Sequence, residues 1–300
     1  MKKLLFTGSA VAIVTPFMRH EINFDKFREL LEFHLENKTD AIVVCGTTGE
    51  SATLNDSEKE KLIEFTVKVI DKRIPVIAGT GSNCTEHSIE LSKMAQKLGA
   101  DGLLLVTPYY NKATQLGLVK HYLAIADSVN LPAMLYNVPA RTGVSISAET
   151  AKTLSEHHNI NSIKEASGNI LETEKIACLC RDNLHIYSGN DDITYPILAI
   201  GGKGVVSVVA NIFPKKVHDL VNEYLCKNYH ASLEIQFDML ELIANLFSEV
   251  NPIPIKMAMK LLNIDCGELR LPLCEMSQSN TEKLKDALSR YSEMVINKSV

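Results

Sequence analysis

Eight short apolar or β-branched runs recur along the chain, at residues 10–15, 41–45, 75–79, 102–107, 133–137, 161–165, 185–189 and 204–209. Their length, β-branched content and turn-forming flanks predict strands. Between them lie amphipathic stretches at 24–37, 57–71, 86–98, 116–129, 148–157 and 171–181, whose apolar positions recur at helical spacing. Capping residues support the helices. Asn55-Asp56-Ser57 precedes one, Thr85 with His87 and Ser88 opens another, and Gly99 and Asn159 follow two more. Regular alternation of strand and helix predicts an α/β protein with a parallel sheet, and eight repeats favour closure into a (β/α)₈ TIM barrel over an open doubly wound sheet.

Glycine placement agrees with a barrel. Thr15-Pro16-Phe17-Met18 follows the first strand where a dinucleotide-binding sheet would carry G-x-G-x-x-G, and Gly79-Thr80-Gly81-Ser82-Asn83 lacks the third glycine. Gly201-Gly202-Lys203-Gly204 precedes the eighth strand, which suits a tight helix-to-strand turn on the bottom face. From residue 228 the pattern is helical without further strands, interrupted at Pro252, Pro254 and Pro272. The expected division is a catalytic barrel over 1–227 and a C-terminal helical appendage over 228–300.

Composition narrows the partners. With 300 residues, 46% hydrophobic content, a net charge of −5 and a pI near 6.0, the chain reads as a soluble globular protein with no electrostatic reason to bind nucleic acid or an anionic membrane. No run of apolar residues is long enough to span a bilayer. Met1 to Phe6 begins like a signal peptide, but a strand follows directly, so the segment is expected to be mature sequence. The seven cysteines form no C-x-x-C pair and have no histidine at zinc spacing, which predicts reduced thiols, no metal site and a cytoplasmic setting. Cys45 and Cys178 lie in apolar runs and are expected to be buried; His157-His158 reads as an exposed helix end.

The active face of such a barrel is built from the turns after its strands. The sixth strand carries Lys164, in Ser162-Ile163-Lys164-Glu165-Ala166-Ser167-Gly168. A lysine inside an α/β sheet is either ion-paired or at work, and desolvation lowers an ammonium pKa from about 10.4 toward the range where the free amine can attack a carbonyl. The second strand ends in Gly46-Thr47-Thr48-Gly49-Glu50-Ser51, a turn that is either a plain cap or a cradle of hydroxyls and N–H groups for a carboxylate. The fourth ends in the adjacent Tyr109 and Tyr110, which point to opposite sides in extended backbone. The fifth ends in Tyr136-Asn137-Val138-Pro139-Ala140-Arg141-Thr142-Gly143, offering a phenol for proton transfer and a guanidinium for a carboxylate. Amine, hydroxyls and arginine on successive strand ends are what imine chemistry on a keto acid needs.

Residues 46–51, 136–143 and 163–168 together closely resemble the dihydrodipicolinate synthase family. The resemblance covers nearly the whole chain, extending to 78–81, 107–111, 204–211, Asn251-Pro252-Ile253-Pro254-Ile255-Lys256 and Leu269-Arg270-Leu271-Pro272-Leu273. It implies a class I aldolase-type lyase that condenses pyruvate with L-aspartate 4-semialdehyde on the route to diaminopimelate and lysine. Lys164 would form the Schiff base with pyruvate, so that no cofactor beyond this covalent imine is needed. Tyr136 would move protons, linked through Thr47 to Tyr110; Thr48 would hold the pyruvate carboxylate; Arg141 would receive that of the semialdehyde; Gly189 and Val206 would line the pocket. In the family the counterpart of Tyr110 comes from a neighbouring subunit, which implies at least a dimer, with a homotetramer (a dimer of dimers) expected.

The same superfamily includes N-acetylneuraminate lyase and 2-keto-3-deoxygluconate aldolase, so Schiff-base lysine and fold alone leave the substrate open. Arg141 and the pair Thr47-Thr48 favour the synthase. A non-catalytic keto-acid-binding barrel is the reading of another class. The resemblance also marks Ser51, Ala52, Asn83, His87 and Tyr109 as a candidate effector region. At the position of His87 lysine-sensitive members carry a glutamate, and Asp56 and Lys59 stand where such members carry histidines, so weak or absent inhibition by lysine is expected.

Overall fold

Strands built of Val, Ile, Leu and Ala with both faces buried pair in parallel and close on themselves. In the computed structural model, which describes residues 2–291, these are β1 (Gly8–Ala12), β2 (Ala41–Val44), β3 (Val76–Gly79), β4 (Gly102–Val106), β5 (Ala133–Asn137), β6 (Ile160–Glu165), β7 (His185–Ser188) and β8 (Gly204–Ser207). Each pairs with the next, and β8 pairs with β1 to close the ring. The predicted TIM barrel is the observed one. Met1 and residues 292–300, the end of the expected appendage, lie outside the described residues.

Helices follow the strands: α1 (Phe24–Glu36), α2 (Asp56–Ile70), α3 (Thr85–Lys97), α4 (Gln115–Asp127), α5 (Ala148–Leu154), α6 (Ile170–Cys180), α7 (Thr194–Ala199) and α8 (Pro214–Leu225). Asn55 caps α2 in a reciprocal capping box with Glu58. The last two helices were not among the amphipathic stretches; α7 is only six residues long, and α8 opens with Pro214 in its first turn. Cys45 is buried as expected, but Cys178 is exposed. Its apolar run is helical, so Ile176 and Cys180, four residues apart, share the core-facing side and Cys178 turns outward.

The strand period of two divides the sheet between two cores. Val11, Ile42, Val44, Leu103 and Leu135 face outward into a core shared with the helices. Ala10, Ala12, Val43, Ile77, Met134, Tyr136, Tyr187 and Val206 fill the barrel. Small residues on β1 leave room for Phe6, which stacks on Tyr187 at 4.4 Å while the Tyr187 hydroxyl donates to the Phe6 carbonyl. The β1–β8 seam needs glycine: Gly204 has φ +155°, and a Cβ there would sit 1.9 Å from the Gly8 carbonyl oxygen.

Three further helices, α9 (Tyr229–Leu246), α10 (Ile253–Leu261) and α11 (Gln278–Ser289), follow the barrel, and their apolar faces join its outer core. Two polar clamps fasten the segment between α10 and α11, and α10 itself, onto the turn after β2 and the first turn of α2. Lys256 Nζ lies 2.5 Å from Glu50 Oε1 with both side chains buried. Arg270 grips Glu58 bidentately at 2.9 and 2.5 Å and donates to the Thr53 carbonyl. A hairpin of Phe17–Met18 with Glu21–Ile22 was not expected. Its turn is Arg19-His20, both at positive φ, which lacks the Asn-Gly signature of such turns.

Candidate active site

The polar residues sit where the strands stop. Cys45, directly after β2, has φ +56°, and this reversal starts the turn that carries Thr47 and Thr48. Gly49 and Ser51 donate backbone N–H bonds to the Gly46 carbonyl at 3.1 and 3.3 Å, and the Thr15 hydroxyl donates to the Gly49 carbonyl at 2.7 Å. Thr48 is buried, and its Oγ1 accepts from Asn251 Nδ2 at 2.9 Å. Burial pushes the Cys45 thiol up to about 12, so it holds its proton and does not compete as a nucleophile.

Tyr136 on β5 and Lys164 on β6 are paired in register and point into the barrel. Lys164 is 5% exposed, and its Nζ stands 4.2 Å from the centroid of the Tyr136 ring. Gly189 follows β7 and makes the room: a Cβ there would meet Lys164 Cε and the Glu165 carbonyl, each at 3.0 Å, and Ala166 Cβ at 2.6 Å. Val206 on β8 is fully buried in the same interior. Arg141 lies in a single helical turn, Pro139–Thr142, closed by Gly143 at φ +72°, and its Nη2 donates to the Asn251 carbonyl at 3.2 Å.

A cavity of about 540 Å³ opens beside these groups, lined among others by Thr47, Tyr136, Val138 and Arg141, whereas Thr48, Lys164, Gly189 and Val206 are not among its lining residues. Ser51, Ala52, His87 and Tyr109 of the candidate effector region line the same cavity. Asn83 does not line it; its carbonyl accepts from Asn111 Nδ2 at 2.8 Å. His87 Nε2 lies 3.1 Å from both carboxylate oxygens of Asp56, with Lys59 Nζ 3.9 Å from the same group. Tyr110 stands apart: it is 91% exposed at φ +73°, outside the cavity of the single chain.

Three groups in and around the site had not been singled out. Glu165 follows Lys164 and so faces away from the barrel interior; it accepts from Asn137 Nδ2 at 2.8 Å and Ser167 N at 2.7 Å, and burial raises its pKa against those bonds. The link ties the ends of β5 and β6. Asp191 is buried and accepts from the Ser207 hydroxyl and from Val208 N at 2.9 Å; burial raises its pKa, while these bonds and the Lys164 charge oppose the shift. Asn251 reaches the cavity from the segment between α9 and α10. A chain separation of 203 residues from Thr48 hides that contact from any local reading. Among the described residues no group of three or more His, Cys, Asp or Glu could hold a metal ion, and no helix is long and apolar enough to cross a membrane.

A closed parallel barrel that presents a lysine beside a phenol on adjoining strands has the build of a class I aldolase-type lyase. The model of the Dihydrodipicolinate synthetase family matches residues 5–291, and the chain belongs to that family. A Clostridium novyi relative named 4-hydroxy-tetrahydrodipicolinate synthase is 53% identical over 96% of this chain and 98% of its own. Among solved structures, the dihydrodipicolinate synthase of Thermotoga maritima superposes with a TM-score of 0.94 at 43% identity, covering 96% of this chain and 99% of that one. The Acinetobacter baumannii enzyme, solved with pyruvate, gives 0.93 at 41% identity over 95% of this chain and 99% of that one. The chain is accordingly a lyase of this aldolase type, of the 4-hydroxy-tetrahydrodipicolinate synthase kind, in diaminopimelate and lysine biosynthesis. Enzymes of this family use an imine with pyruvate and need no external cofactor.

Proposed function

We propose that Lys164 forms a Schiff base with pyruvate and that the resulting enamine condenses with L-aspartate 4-semialdehyde. The pairing of Lys164 with Tyr136 carries this reading, an amine 4.2 Å from a phenol ring inside the barrel. The amine attacks the pyruvate carbonyl carbon and water leaves. Loss of a methyl proton gives the enamine, whose carbon attacks the aldehyde, and the substrate's own amine then displaces Lys164 at the imine carbon. Tyr136 moves the protons, with Thr47 on the same cavity wall as its relay.

Thr48 is suited to the pyruvate carboxylate. Its oxygen already accepts from Asn251, so its hydrogen remains to be donated. Arg141, exposed at the cavity's wall, is suited to the semialdehyde carboxylate. Gly189 gives the lysine its room, and Val206 shapes the floor. The exposed Tyr110 fits a role in a neighbouring copy, so the working unit on this reading is at least a dimer and, as a dimer of dimers, a homotetramer in the cytoplasm. The units 1–227 and 228–300 act as one catalytic body, because Asn251 and Leu273 line the cavity. Incubation with pyruvate and borohydride, followed by peptide mass spectrometry, should place a reduced adduct on Lys164. An unmodified Lys164, or an adduct on another lysine, would sink the mechanism.

A further inference from the structure

Asp191 is a buried acid held without a partner of opposite charge. It follows β7 and is 3% exposed; its Oδ2 accepts from Val208 N at 2.9 Å and Val209 N at 3.3 Å, and its Oδ1 accepts from the Ser207 hydroxyl. Ser207 Oγ itself accepts from Ala210 N at 2.9 Å, which leaves its hydrogen for the carboxylate. Donors at both oxygens are the pattern of an ionised acid. Gln236 of α9 and Thr194 of α7 bond only the Asp191 backbone carbonyl, and among the described residues no lysine, arginine or histidine forms an ion pair with the side chain. A buried charge without such a pair is costly, and groups of this kind gather at functional sites.

The chain brings this charge close to the amine. A Cβ on Gly189 would lie 3.0 Å from Lys164 Cε, and Asp191 follows two residues later, within about 8 Å of Gly189 from Cα to Cα. The positive charge of Lys164 acts on the carboxylate. Other titratable groups around the amine supply no counter-charge: Tyr136 of β5 presents its ring, the Tyr187 hydroxyl of β7 donates to the Phe6 carbonyl, and Glu165 faces away from the interior, bonded to Asn137 and Ser167. A lysine ammonium that exchanges its place for an iminium carries one positive charge before and after it takes pyruvate. We propose that Asp191 is the counter-charge for both forms, a positioning residue that acts on Lys164 through space and steadies its imine with pyruvate. This rests on the reading that Lys164 forms that imine.

The test brings the full chain to equilibrium with pyruvate across a series of pH values, quenches with borohydride and counts the adduct by intact mass. Imine formation from the ammonium takes up no proton, so the half-saturating pyruvate concentration is flat with pH while the amine is protonated. Once the amine is free, a proton must be taken up and the concentration climbs with pH. At roughly 10 Å and an effective dielectric of about 20, a unit charge moves that break by about one pH unit. Asp191→Asn should therefore break about one pH unit below the wild type and need about tenfold more pyruvate beyond it, with equal values below both breaks. Ser207→Ala disturbs the same cluster but keeps the charge, and should leave the break in place. Weaker binding at every pH with an unmoved break, or the same displacement in Ser207→Ala, would mean that the carboxylate only builds the turn; either overturns the proposal. Should Asp191→Asn prevent folding, Asp191→Ser, neutral and smaller, is read in the same way. No adduct on wild-type Lys164 condemns the imine chemistry itself, whereas adducts with an unmoved break condemn Asp191 alone.

Discussion

Replacing Gly189 with alanine adds one methyl group where the barrel has no room. The new Cβ would lie 2.6 Å from Ala166 Cβ, about 1 Å inside ordinary carbon contact, and 3.0 Å from both Lys164 Cε and the Glu165 carbonyl. Backbone cannot yield easily, since Gly189 N is itself bonded to that carbonyl at 2.7 Å. Two costs follow. Overpacking of this kind costs about 1–3 kcal/mol, which corresponds to a Tm drop of roughly 2–5 °C in a chain of this size. The movable neighbour is the lysine side chain, and displacing a reacting group by an ångström costs on the order of 10²-fold in rate. The assay is the rate of borohydride-trapped pyruvate adduct, followed by intact mass, beside a thermal melt. An alanine variant that melts lower but traps pyruvate at the wild-type rate would refute the claim that Gly189 exists to accommodate Lys164.

Four further outcomes are expected. Arg141→Ala should cut the use of aspartate semialdehyde by about 10²-fold, the scale of a lost charged contact, and leave adduct formation with pyruvate largely intact; equal loss of both refutes its role. Glu50→Gln or Lys256→Met alone should destabilise by about 3–5 kcal/mol in chemical denaturation, and the double variant by clearly less than the sum; strict additivity would show that the two charges are not a pair. Asp40 raises the pKa of His218 through a hydrogen bond at 2.8 Å and its charge, so the pair's stabilisation is complete below the unfolded value of about 6.5 and is lost as pH rises through the folded one. The Tm gap between wild type and His218→Asn should therefore be wider at pH 6 than at pH 9, and a gap that widens with pH would reverse the sign. L-lysine should inhibit weakly or not at all, since the Asp56 carboxylate that could meet its amine is taken by His87 and Lys59; a sub-millimolar inhibition constant would contradict this.

The barrel was legible because each of its eight strands is a short both-faces-buried run between helical periods. The sequence pattern runs the strands too far at residues 13–15, Cys45, Thr107, Gly189 and residues 208–209, where the chain leaves the ladder for the turns that follow. Lys164, Tyr136 and Arg141 could be proposed because strand-end position is a local property. Asn251, Asp191 and the Glu50–Lys256 pair could not, because each owes its importance to a partner distant in the chain or to burial that only the closed fold creates. The Arg19-His20 hairpin escaped for the opposite reason: packing against Gly267 holds a turn that its own residues do not favour.

The placement of Asn251, Pro252, Pro272 and Leu273 on the cavity wall sets an order in time. A ribosome makes Lys164 and every barrel strand before it makes these residues. Until they are made, the chamber lacks one wall, Thr48 and Arg141 have no Asn251 to bond, and Glu50 has no Lys256 to pair with. A complete chamber therefore depends on residues synthesised after the last barrel strand, and a chain stopped at that strand would lack them.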